Sequence, residues 1–441
     1  MNQTIFPVLK TNFVLSIGSV RSYIFDKDKN NDNTFFLLNT DAKHIFLECN
    51  GENSLNDILN KLSSKYNEKK EDIEKPVTSF ILNNKHLDIL HRPQKRKIDI
   101  RGCEEFQVPR ELTVDITDNC NLSCKHCFNE SSKFNKNYID GDILISFIKK
   151  FKKIGLHSIQ ISGGEPFMHP DILKIIDGIC KTLEEVKIIT NGSLINENHL
   201  KLMEKYKNKI ILQLTLNSSD FTFHDEFSGY DGLFNNVNRV INLLKRKKIN
   251  YIITMCITHI NCHDIENTAI LAKELVASKF QVGTILNVGR AKTENFDLSS
   301  EDYNIINKQL KNINKKYPNF LETMDKFLLR SVDLDLIEDV EELNSVNCGV
   351  GIGFLGIDCA GNFKLCPLDN GFFDFGNFYR ESISSILQKV GSYRLDKIYP
   401  PRKEDCGSCQ FLNFCGKCIA KGCMKYKEIG DQCLWGEKYI K

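Results

Sequence analysis

The sequence predicts an α/β fold in which six strand–helix units form a partial barrel, between a small N-terminal module and a cysteine-rich C-terminal domain. Six β-rich runs alternate with amphipathic helical stretches between residues 111 and 287. Repeated βα units imply a parallel sheet with helices outside, and six are too few to close an eight-stranded barrel. Nine of the 17 cysteines lie between Cys348 and Cys433.

Before the barrel, residues 1–92 form the predicted N-terminal module. Strand-like runs precede a helix over 54–66, where Ser54 and Asp57 match a capping box. The charged stretch 91–97 is typical of a solvated connector, so 93–109 are assigned as a linker. The strand-like runs are Phe13–Ile17, Tyr23–Phe25 and Phe35–Leu38.

The barrel is expected over 110–297, with functional groups at the C-terminal ends of its strands. Residues 298–347 have a polar helical pattern and are assigned as a bridge. From 348 to 441, cysteine, glycine and short strands dominate with little helical periodicity, so this domain is expected to need metal. The six barrel strands are Leu112–Thr117, Ser158–Ser162, Val186–Thr190, Ile210–Leu216, Tyr251–Ile257 and Gln281–Asn287.

Composition excludes several classes of function. The formal net charge of +2 among 441 residues gives no electrostatic case for nucleic acid or an anionic membrane as partner. No apolar run approaches the ~20 residues that span a bilayer, and the start of the chain lacks a signal-peptide core. A cytoplasmic protein is therefore expected. In that reducing compartment, clustered cysteines indicate metal sites rather than disulfides.

Three cysteines follow the first barrel strand directly. Cys120, Cys124 and Cys127 have the spacing C-x3-C-x2-C, which can wrap one cube-shaped iron–sulfur cluster on a single loop. Three ligands for a four-iron cluster leave one iron open to a reactive ligand. A three-ligand zinc site or free thiols are the alternatives.

Two further loops follow the next strands at the same edge. Gly163, Gly164 and Glu165 come after the second strand; glycines allow close backbone approach, and a carboxylate can bind a ligand ammonium. Thr190 and Asn191, with Gly192, come after the third strand. Because the C-terminal ends of parallel strands meet at one edge, these three loops predict one site.

This constellation, over about 110–290, resembles the radical S-adenosylmethionine (SAM) superfamily. The resemblance implies that Cys120, Cys124 and Cys127 hold a 4Fe–4S cluster whose fourth iron binds SAM. It also implies SAM contacts from Gly163, Gly164, Glu165, Thr190, Asn191, Asn217 and Ser218, with His126 near the adenine. Ser228 stands where related sequences often carry arginine, whereas Gly289-Arg290-Ala291 fits a family pattern; a surface arginine is the alternative for Arg290.

The C-terminal cysteines resemble the SPASM extension of peptide-modifying radical SAM enzymes, which binds two auxiliary clusters. The resemblance implies a distal cluster on Cys406, Cys409, Cys415 and Cys433. It implies a proximal cluster on Cys348, Cys366 and Cys418, with Cys423, Cys359 or a substrate group as fourth ligand. Three 4Fe–4S clusters and SAM are thus the expected cofactors. Two residues, rather than the usual three, separate Cys415 from Cys418, and a zinc ribbon over 406–418 is the alternative.

The N-terminal module resembles the PqqD-like element that recognises precursor peptides. Such winged-helix modules bind a leader by adding a strand to a sheet edge, here between Phe35–Leu38 and a helix around 77–82. Among enzymes with this layout, the ending around Cys415 and Cys433-Leu-Trp435 is similar to sactionine synthases of the subtilosin type. The resemblance implies an oxidoreductase that joins a cysteine sulfur of a ribosomal peptide to an α-carbon, served by ferredoxin or flavodoxin.

Two alternatives remain open. The enzyme could epimerise residues or form C–C or C–O links, and an epimerase would need a thiol such as Cys359 or Cys256. A non-catalytic iron–sulfur peptide-binding or electron-transfer protein is the alternative from another class. The cysteines outside any metal spacing are expected to have no direct chemistry, with Cys180 and Cys256 as small buried hydrophobes. These are Cys49, Cys103, Cys180, Cys256 and Cys262.

Overall fold

The computed structural model describes residues 4–27, 35–285, 288–323, 349–369, 371–415 and 418–441. It divides into two compact units. Residues 1–108 and 153–155 belong to the first, and residues 109–152 and 156–441 to the second. No helix in these ranges is long and apolar enough to cross a bilayer.

The first unit contains a two-stranded and a four-stranded sheet. Strand β1 pairs antiparallel with β5, and the larger sheet has the order β4-β3-β2-β6, which places β4 at an edge. The three strand-like runs of the sequence are confirmed as β2, β3 and β4. The strands are β1 (Phe6–Leu9), β2 (Phe13–Ile17), β3 (Ser22–Asp26), β4 (Phe35–Leu38), β5 (Leu87–Leu90) and β6 (Asp99–Gly102).

Three helices cover a hydrophobic core in this unit: α1 (Thr40–Glu48), α2 (Leu55–Tyr66) and α3 (Lys70–Asn83). The capping box before α2 is confirmed, since the Ser54 hydroxyl accepts from the Asp57 amide and the Asp57 carboxylate accepts from the Ser54 amide. The core includes Leu15, Ile58 and Ile81, all fully buried.

The predicted linker 93–109 contains a strand that the sequence analysis missed. Residues 91–97 are largely exposed, as expected of a connector, but β6 pairs parallel with β2 and so belongs to the four-stranded sheet. Its four residues, Asp-Ile-Arg-Gly, have too little alternation to predict a strand.

The second unit is built on a nine-stranded sheet of order β13-β12-β11-β10-β9-β8-β7-β14-β15. From β13 to β14 all neighbours are parallel, and β15 is antiparallel. The six predicted strands are confirmed in order; Leu286 and Asn287, the end of the last one, lie outside the described residues. They are β7 (Glu111–Asp115), β8 (Ser158–Ser162), β9 (Glu185–Thr190), β10 (Ile210–Thr215), β11 (Asn250–Ile257) and β12 (Phe280–Thr284).

Helices connect these strands, as right-handed crossovers require. The predicted helix over 140–154 is confirmed, and its apolar face (Leu144, Ile148 and Phe151) is fully buried. The helices are α4 (Gly141–Lys153), α5 (Ile172–Cys180), α6 (Glu197–Lys205), α7 (Phe221–Ser228), α8 (Leu233–Lys247), α9 (Ile265–Glu274) and α10 (Ser300–Lys316).

The two faces of the parallel sheet differ in polarity. Residues paired across parallel strands point to the same side, so the register assigns each side chain to a face. One face is aliphatic and fully buried, as at Val114, Ile161 and Ile188, and the helices pack against it. The other face is the inner wall of the partial barrel. Its members include Thr113, Asp115, Gln160, Ser162, Lys187, Gln213, Thr254, Cys256 and Gln281.

Three strands lie outside the predicted barrel. The expected bridge, mostly helical in pattern, contains α10 and also β13 (Leu321–Thr323), which pairs with β12; the part of the bridge at 324–347 lies outside the described residues. Strand β14 (Phe354–Ile357) pairs parallel with β7, and β15 (Phe363–Lys364) completes the sheet. At two to four residues, these strands are too short for a periodic signal.

The C-terminal domain is more helical than predicted. Beyond β15 its described part consists mainly of helices of 4 to 11 residues. Segments this short, interrupted by cysteine and glycine, show little hydrophobic periodicity, so the sequence did not predict them as helices. The helices are α11 (Ile383–Ser392), α12 (Lys403–Cys406), α13 (Leu412–Cys415), α14 (Ile419–Ile429) and α15 (Leu434–Tyr439).

Candidate active site

The three cysteines of the first motif lie on the loop after β7, at the C-terminal edge of the sheet. Cys120 and Cys127 are each within electrostatic range of Cys124. Burial raises the pKa of the Cys120 thiol to about 12 and raises that of Cys124 further. Since only thiolates bind iron, cluster assembly here must displace protons from buried thiols.

Arg290 fastens this loop. Its Nε donates to the Cys124 carbonyl at 2.8 Å and its Nη1 to the Ser131 carbonyl at 2.9 Å. Its backbone N–H donates to the Cys127 carbonyl at 3.0 Å. The preceding Gly289 has φ +59°, and a Cβ there would lie 2.4 Å from the Phe128 carbonyl oxygen. Arg290 thus holds the cysteine loop in place through three hydrogen bonds, and the alternative of a surface arginine is wrong.

Gly163 and Gly164 lie against this loop. A Cβ on Gly163 would come within 2.2 Å of the Thr117 carbonyl oxygen, and one on Gly164 within 2.2 Å of the Asn119 carbonyl oxygen. The Gly164 amide donates to Thr117 at 2.7 Å. These glycines therefore permit a close approach between two loops of the protein, and their contact with SAM stays a prediction.

Glu165 ties together the loops after β8 and β9. Its Oε1 accepts from the Phe167 amide at 3.0 Å and the Thr190 hydroxyl at 2.7 Å, and its Oε2 accepts from the Asn191 amide at 2.9 Å. Complete burial raises its pKa to about 7. A carboxylate has about four lone-pair sites, so Oε2 retains capacity for a further donor such as an ammonium group.

Asn217 and Ser218 follow β10 and are buried. The Asn217 Oδ1 accepts from the Cys256 amide at 3.1 Å, whereas its Nδ2 has no hydrogen-bond partner among the described residues. The Ser218 hydroxyl donates to Asp264 at 2.5 Å. Asn217 therefore presents a free donor to the site, while Ser218 holds the start of α9.

His126 stacks on Phe227, with ring centroids 4.6 Å apart and an interplanar angle of 13°. Burial, reinforced by Arg290, lowers the pKa of His126 to about 4, so the ring is neutral near pH 7. The Phe227 carbonyl accepts from the Lys125 amide, which fixes α7 to the cysteine loop. Ser228, at the position where an arginine is common, is buried.

Buried polar atoms without a hydrogen-bond partner gather at this edge of the sheet. An unsatisfied buried polar atom is costly, and native structures contain few. A polar ligand with both donors and acceptors, such as SAM, would satisfy part of this set, beside the buried carboxylate of Glu165. Within the described residues the atoms are Asp115 Oδ1, Asn119 Oδ1, His126 Nδ1, Ser131 Oγ, Asn217 Nδ2 and His224 Nε2.

The C-terminal cysteines form two groups. Cys415 is within electrostatic range of Cys406, Cys409 and Cys433. These are the four cysteines expected at a distal cluster. Burial raises the pKa of Cys415 to about 12.

A second group surrounds Cys423, which is within range of Cys366 and Cys418. Cys348, the other expected ligand of a proximal cluster, lies outside the described residues. Cys359 lies instead near Asp118, Asp358 and Asp115, at the end of β14. Of the predicted fourth ligands, Cys423 is the one that the structure places beside Cys366 and Cys418.

Cys256 differs from its predicted role. It lies on the inner wall in β11, is partly accessible, and is within electrostatic range of Cys124. It is therefore not a small hydrophobe of the core, whereas Cys180 is fully buried as predicted.

In the described residues no three His, Cys, Asp or Glu side chains are placed to share one metal ion.

The first unit contains the predicted walls of a peptide groove. Strand β4 is an edge strand, and α3 spans the predicted helix. Leu37 on β4 and Leu82 on α3 are exposed, at 61% and 55% of their surface. An exposed leucine on an edge strand is uncommon unless a partner covers it.

Comparison with known proteins identifies the central part of the chain. The family model of the Radical SAM superfamily matches residues 114–272. This range contains the cysteine loop, Glu165 and Asn217. The chain contains a radical SAM domain. Proteins of this superfamily bind SAM and a 4Fe–4S cluster, in agreement with the expected cofactors of this domain.

Proteins similar to this chain include a bacteriocin biosynthesis protein and a killing factor maturation protein. The chain is 28% identical to the antilisterial bacteriocin subtilosin biosynthesis protein AlbA of Bacillus subtilis, over 94% of this chain and 91% of AlbA. It is 24% identical to the sporulation killing factor maturation protein SkfB of B. subtilis, over 52% of this chain and 55% of SkfB. An AdoMet-dependent heme synthase of Methanosarcina barkeri is 25% identical, over 73% and 94%.

Solved structures share the fold. Streptococcus suis SuiB bound to precursor peptide SuiA matches with a TM-score of 0.70 and 15% identity, over 95% of this chain and 97% of that one. Native anSMEcpe with bound AdoMet and the Cp18Cys peptide matches with a TM-score of 0.53 and 19% identity, over 75% of this chain and 96% of that one. The predicted fold class, α/β with a partial barrel and a cysteine-rich C-terminal region, is confirmed.

Proposed function

We propose that this chain is a radical SAM maturase that installs a sulfur-to-α-carbon thioether in a ribosomally synthesised peptide. The observation that carries the proposal is the similarity to AlbA, a subtilosin biosynthesis protein, over nearly the full length of both chains. The heme synthase similarity is confined to a smaller part of this chain.

The radical SAM site supplies the initiating chemistry. When bound, SAM and a reduced 4Fe–4S cluster generate a 5′-deoxyadenosyl radical, which removes a hydrogen atom from a substrate carbon. Cys120, Cys124 and Cys127 would hold the cluster. Glu165 Oε2 would accept a hydrogen bond from the SAM ammonium, and Asn217 Nδ2 would donate to another polar group of SAM. The ammonium would also offset the burial that raises the pKa of Glu165.

The protein positions the peptide in two places. A leader segment would add a strand to β4 and cover Leu37 and Leu82, since an edge strand offers free backbone donors and acceptors. Tethering the leader raises the effective concentration of the region to be modified at the inner wall. A peptide that covers that wall would exclude bulk water from the radical.

Two auxiliary 4Fe–4S clusters would complete the enzyme. Cys406, Cys409, Cys415 and Cys433 would bind the distal one, and Cys366, Cys418 and Cys423 with Cys348 the proximal one. Thioether formation releases one electron beyond the hydrogen atom removed, and these clusters would accept it. A ferredoxin or flavodoxin would supply the reducing electron for SAM cleavage.

Anaerobic reconstitution tests the proposal. The iron-loaded protein, reduced with dithionite, is incubated with SAM and a cysteine-containing precursor peptide encoded beside its gene. We expect 5′-deoxyadenosine and a peptide lighter by two hydrogens per link. Full iron loading without SAM cleavage would favour the non-catalytic binding protein, and zinc in place of iron would contradict the proposal.

Epimerisation is a second candidate, favoured by one observation. Cys256 projects from the inner wall within electrostatic range of Cys124, where its thiol could return a hydrogen atom to a carbon radical. The thiyl group left behind would then need an electron and a proton from an external reductant and solvent. In H2O the peptide mass should stay unchanged, and in D2O the peptide should gain one deuterium per modified site. Loss of this deuterium uptake in Cys256→Ala would identify the reaction as epimerisation.

A further inference from the structure

Asp115 is a buried carboxyl group that the proposed SAM site does not use. It ends β7 on the inner wall and has 6% of its surface exposed. Asn129 Nδ2 donates to Oδ2 at 3.1 Å, and the Ser162 hydroxyl on the next strand is close enough to favour the ionised carboxyl, whereas Oδ1 has no hydrogen bond of normal geometry among the described residues. Leaving such an atom without a donor costs about 1–3 kcal/mol, so the position calls for a function.

The surroundings of Asp115 place it beside both cysteine regions. Its own strand leads into the loop of Cys120, five residues later. The neighbouring hairpin of β14 and β15 leads to Cys366, and Cys359 at its tip is within electrostatic range of Asp115. A substrate group at Asp115 Oδ1 would thus lie on the inner wall between the loop of Cys120 and the hairpin that leads to Cys366.

The electrostatics of this position suit a proton acceptor. Burial raises the pKa of Asp115 to about 6, closer to the ~8.5 of a cysteine thiol than an ordinary aspartate. The charged groups facing it are Lys364, which favours its ionised form, and Asp358, which opposes it. Asp358 is committed to the hairpin turn, where its Oδ1 accepts from the backbone amides of Ala360 and Asn362.

We propose that Asp115 Oδ1 binds the thiol of the peptide cysteine and accepts its proton during thioether formation. This step rests on the proposed function. With the α-hydrogen removed by the radical chemistry that bound SAM would supply, Asp115 would take the S–H proton and the sulfur–carbon bond would form. The one surplus electron would pass to an oxidised auxiliary iron–sulfur cluster, and Asp115 would release its proton to solvent.

Asp115→Asn tests the proposal on the reconstituted enzyme with an α-deuterated peptide. We expect deuterium to appear in 5′-deoxyadenosine as in the wild type, while the thioether formed per 5′-deoxyadenosine falls at least tenfold. Asp115→Glu, which retains a carboxylate, should recover part of the yield. Asp142→Asn, the same change at an exposed carboxylate on α4, is the matched control and should leave the yield unchanged.

The outcomes separate this proposal from the proposed function. Wild-type thioether yield in Asp115→Asn would overturn the role of Asp115 alone, whereas a wild-type enzyme that never removes two hydrogens would overturn the proposed function. If Asp115→Asn loses iron, the wild-type yield per 5′-deoxyadenosine is measured between pH 5 and 8. It should fall as Asp115 becomes protonated near pH 6, and a flat profile would contradict the proposal.

Discussion

The cysteine loop after β7 and the cysteine-rich C-terminal domain are both expected to bind clusters, but they are held in different ways. The loop is fixed by hydrogen bonds from distant parts of the chain, including those of Arg290 to Cys124 and Ser131. In the described C-terminal domain, the amides of Cys406, Cys409 and Cys418 donate to carbonyls only three or four residues away. The longer-range hydrogen bonds there, from Trp435 to Tyr399 and from Lys438 to Asp405, join segments of the same domain.

The difference indicates which site the protein can preform. A loop held by long-range contacts keeps its shape without metal, because its order is secured by the barrel. Short helices of four residues, such as α12 and α13, are too short to be stable alone. A metal site that orders such segments contributes directly to their folding. Four predictions test this contrast, from the largest expected effect to the smallest.

Cys124→Ala should abolish SAM cleavage while leaving the fold intact. Removing one of three thiolates leaves too few ligands for the cluster, but the hydrogen bonds to this loop use the backbone of residue 124. 5′-Deoxyadenosine is measured by chromatography and unfolding by circular dichroism. Cys103→Ala is the control outside the predicted metal sites. A large loss of thermal stability in Cys124→Ala would show that this loop also depends on metal.

Cys415→Ala should instead destabilise its own domain. We expect the distal cluster to be lost and residues beyond about 400 to become sensitive to protease, while SAM cleavage without peptide persists. Limited proteolysis with mass spectrometry locates the cuts, and iron analysis counts the clusters. A protease-resistant C-terminal domain in this variant would contradict the expectation that this domain depends on its cluster for folding.

Glu165→Gln should change the pH dependence of stability in the metal-free protein. Because burial raises the Glu165 pKa from 4.5 to about 7, the folded state binds the proton more tightly than the unfolded state. Its contribution to stability is therefore present below pH 4.5 and is lost as pH rises to 7, by up to about 3 kcal/mol. Denaturant titrations at pH 5 and 7.5 should show a smaller difference for Glu165→Gln; an unchanged difference would contradict the prediction.

Arg290→Lys and Arg290→Gln should lower the free energy of unfolding by about 1.5–3 kcal/mol, the usual contribution of a hydrogen bond from a charged group. Lysine retains the charge but cannot bridge two carbonyls as the guanidinium does. Both variants should lose iron to a chelator faster than the wild type. The reduction potential should fall in Arg290→Gln and remain close to wild type in Arg290→Lys, since a nearby cation favours the reduced cluster.

The sequence was most informative where long segments repeat. Alternating β-rich and amphipathic runs predicted all six strands from β7 to β12, and the loops after them contain the predicted groups. Strands of two to four residues such as β14 and β15 carry no periodic signal, so their pairing beside β7 was missed. Asp115 was missed because its functional interest arises from burial and an unpartnered oxygen, which only the packing reveals.

The amide-rich inner wall has a thermodynamic consequence. Gln160 and Gln281 accept from Thr113 and Thr254, and Gln213 lies on the same wall. Amide groups on a wall that a substrate is to cover would bind water until the substrate replaces it. An entering peptide must exchange these waters for its own backbone groups. Its affinity is then determined by how well its hydrogen bonds reproduce those of the expelled solvent.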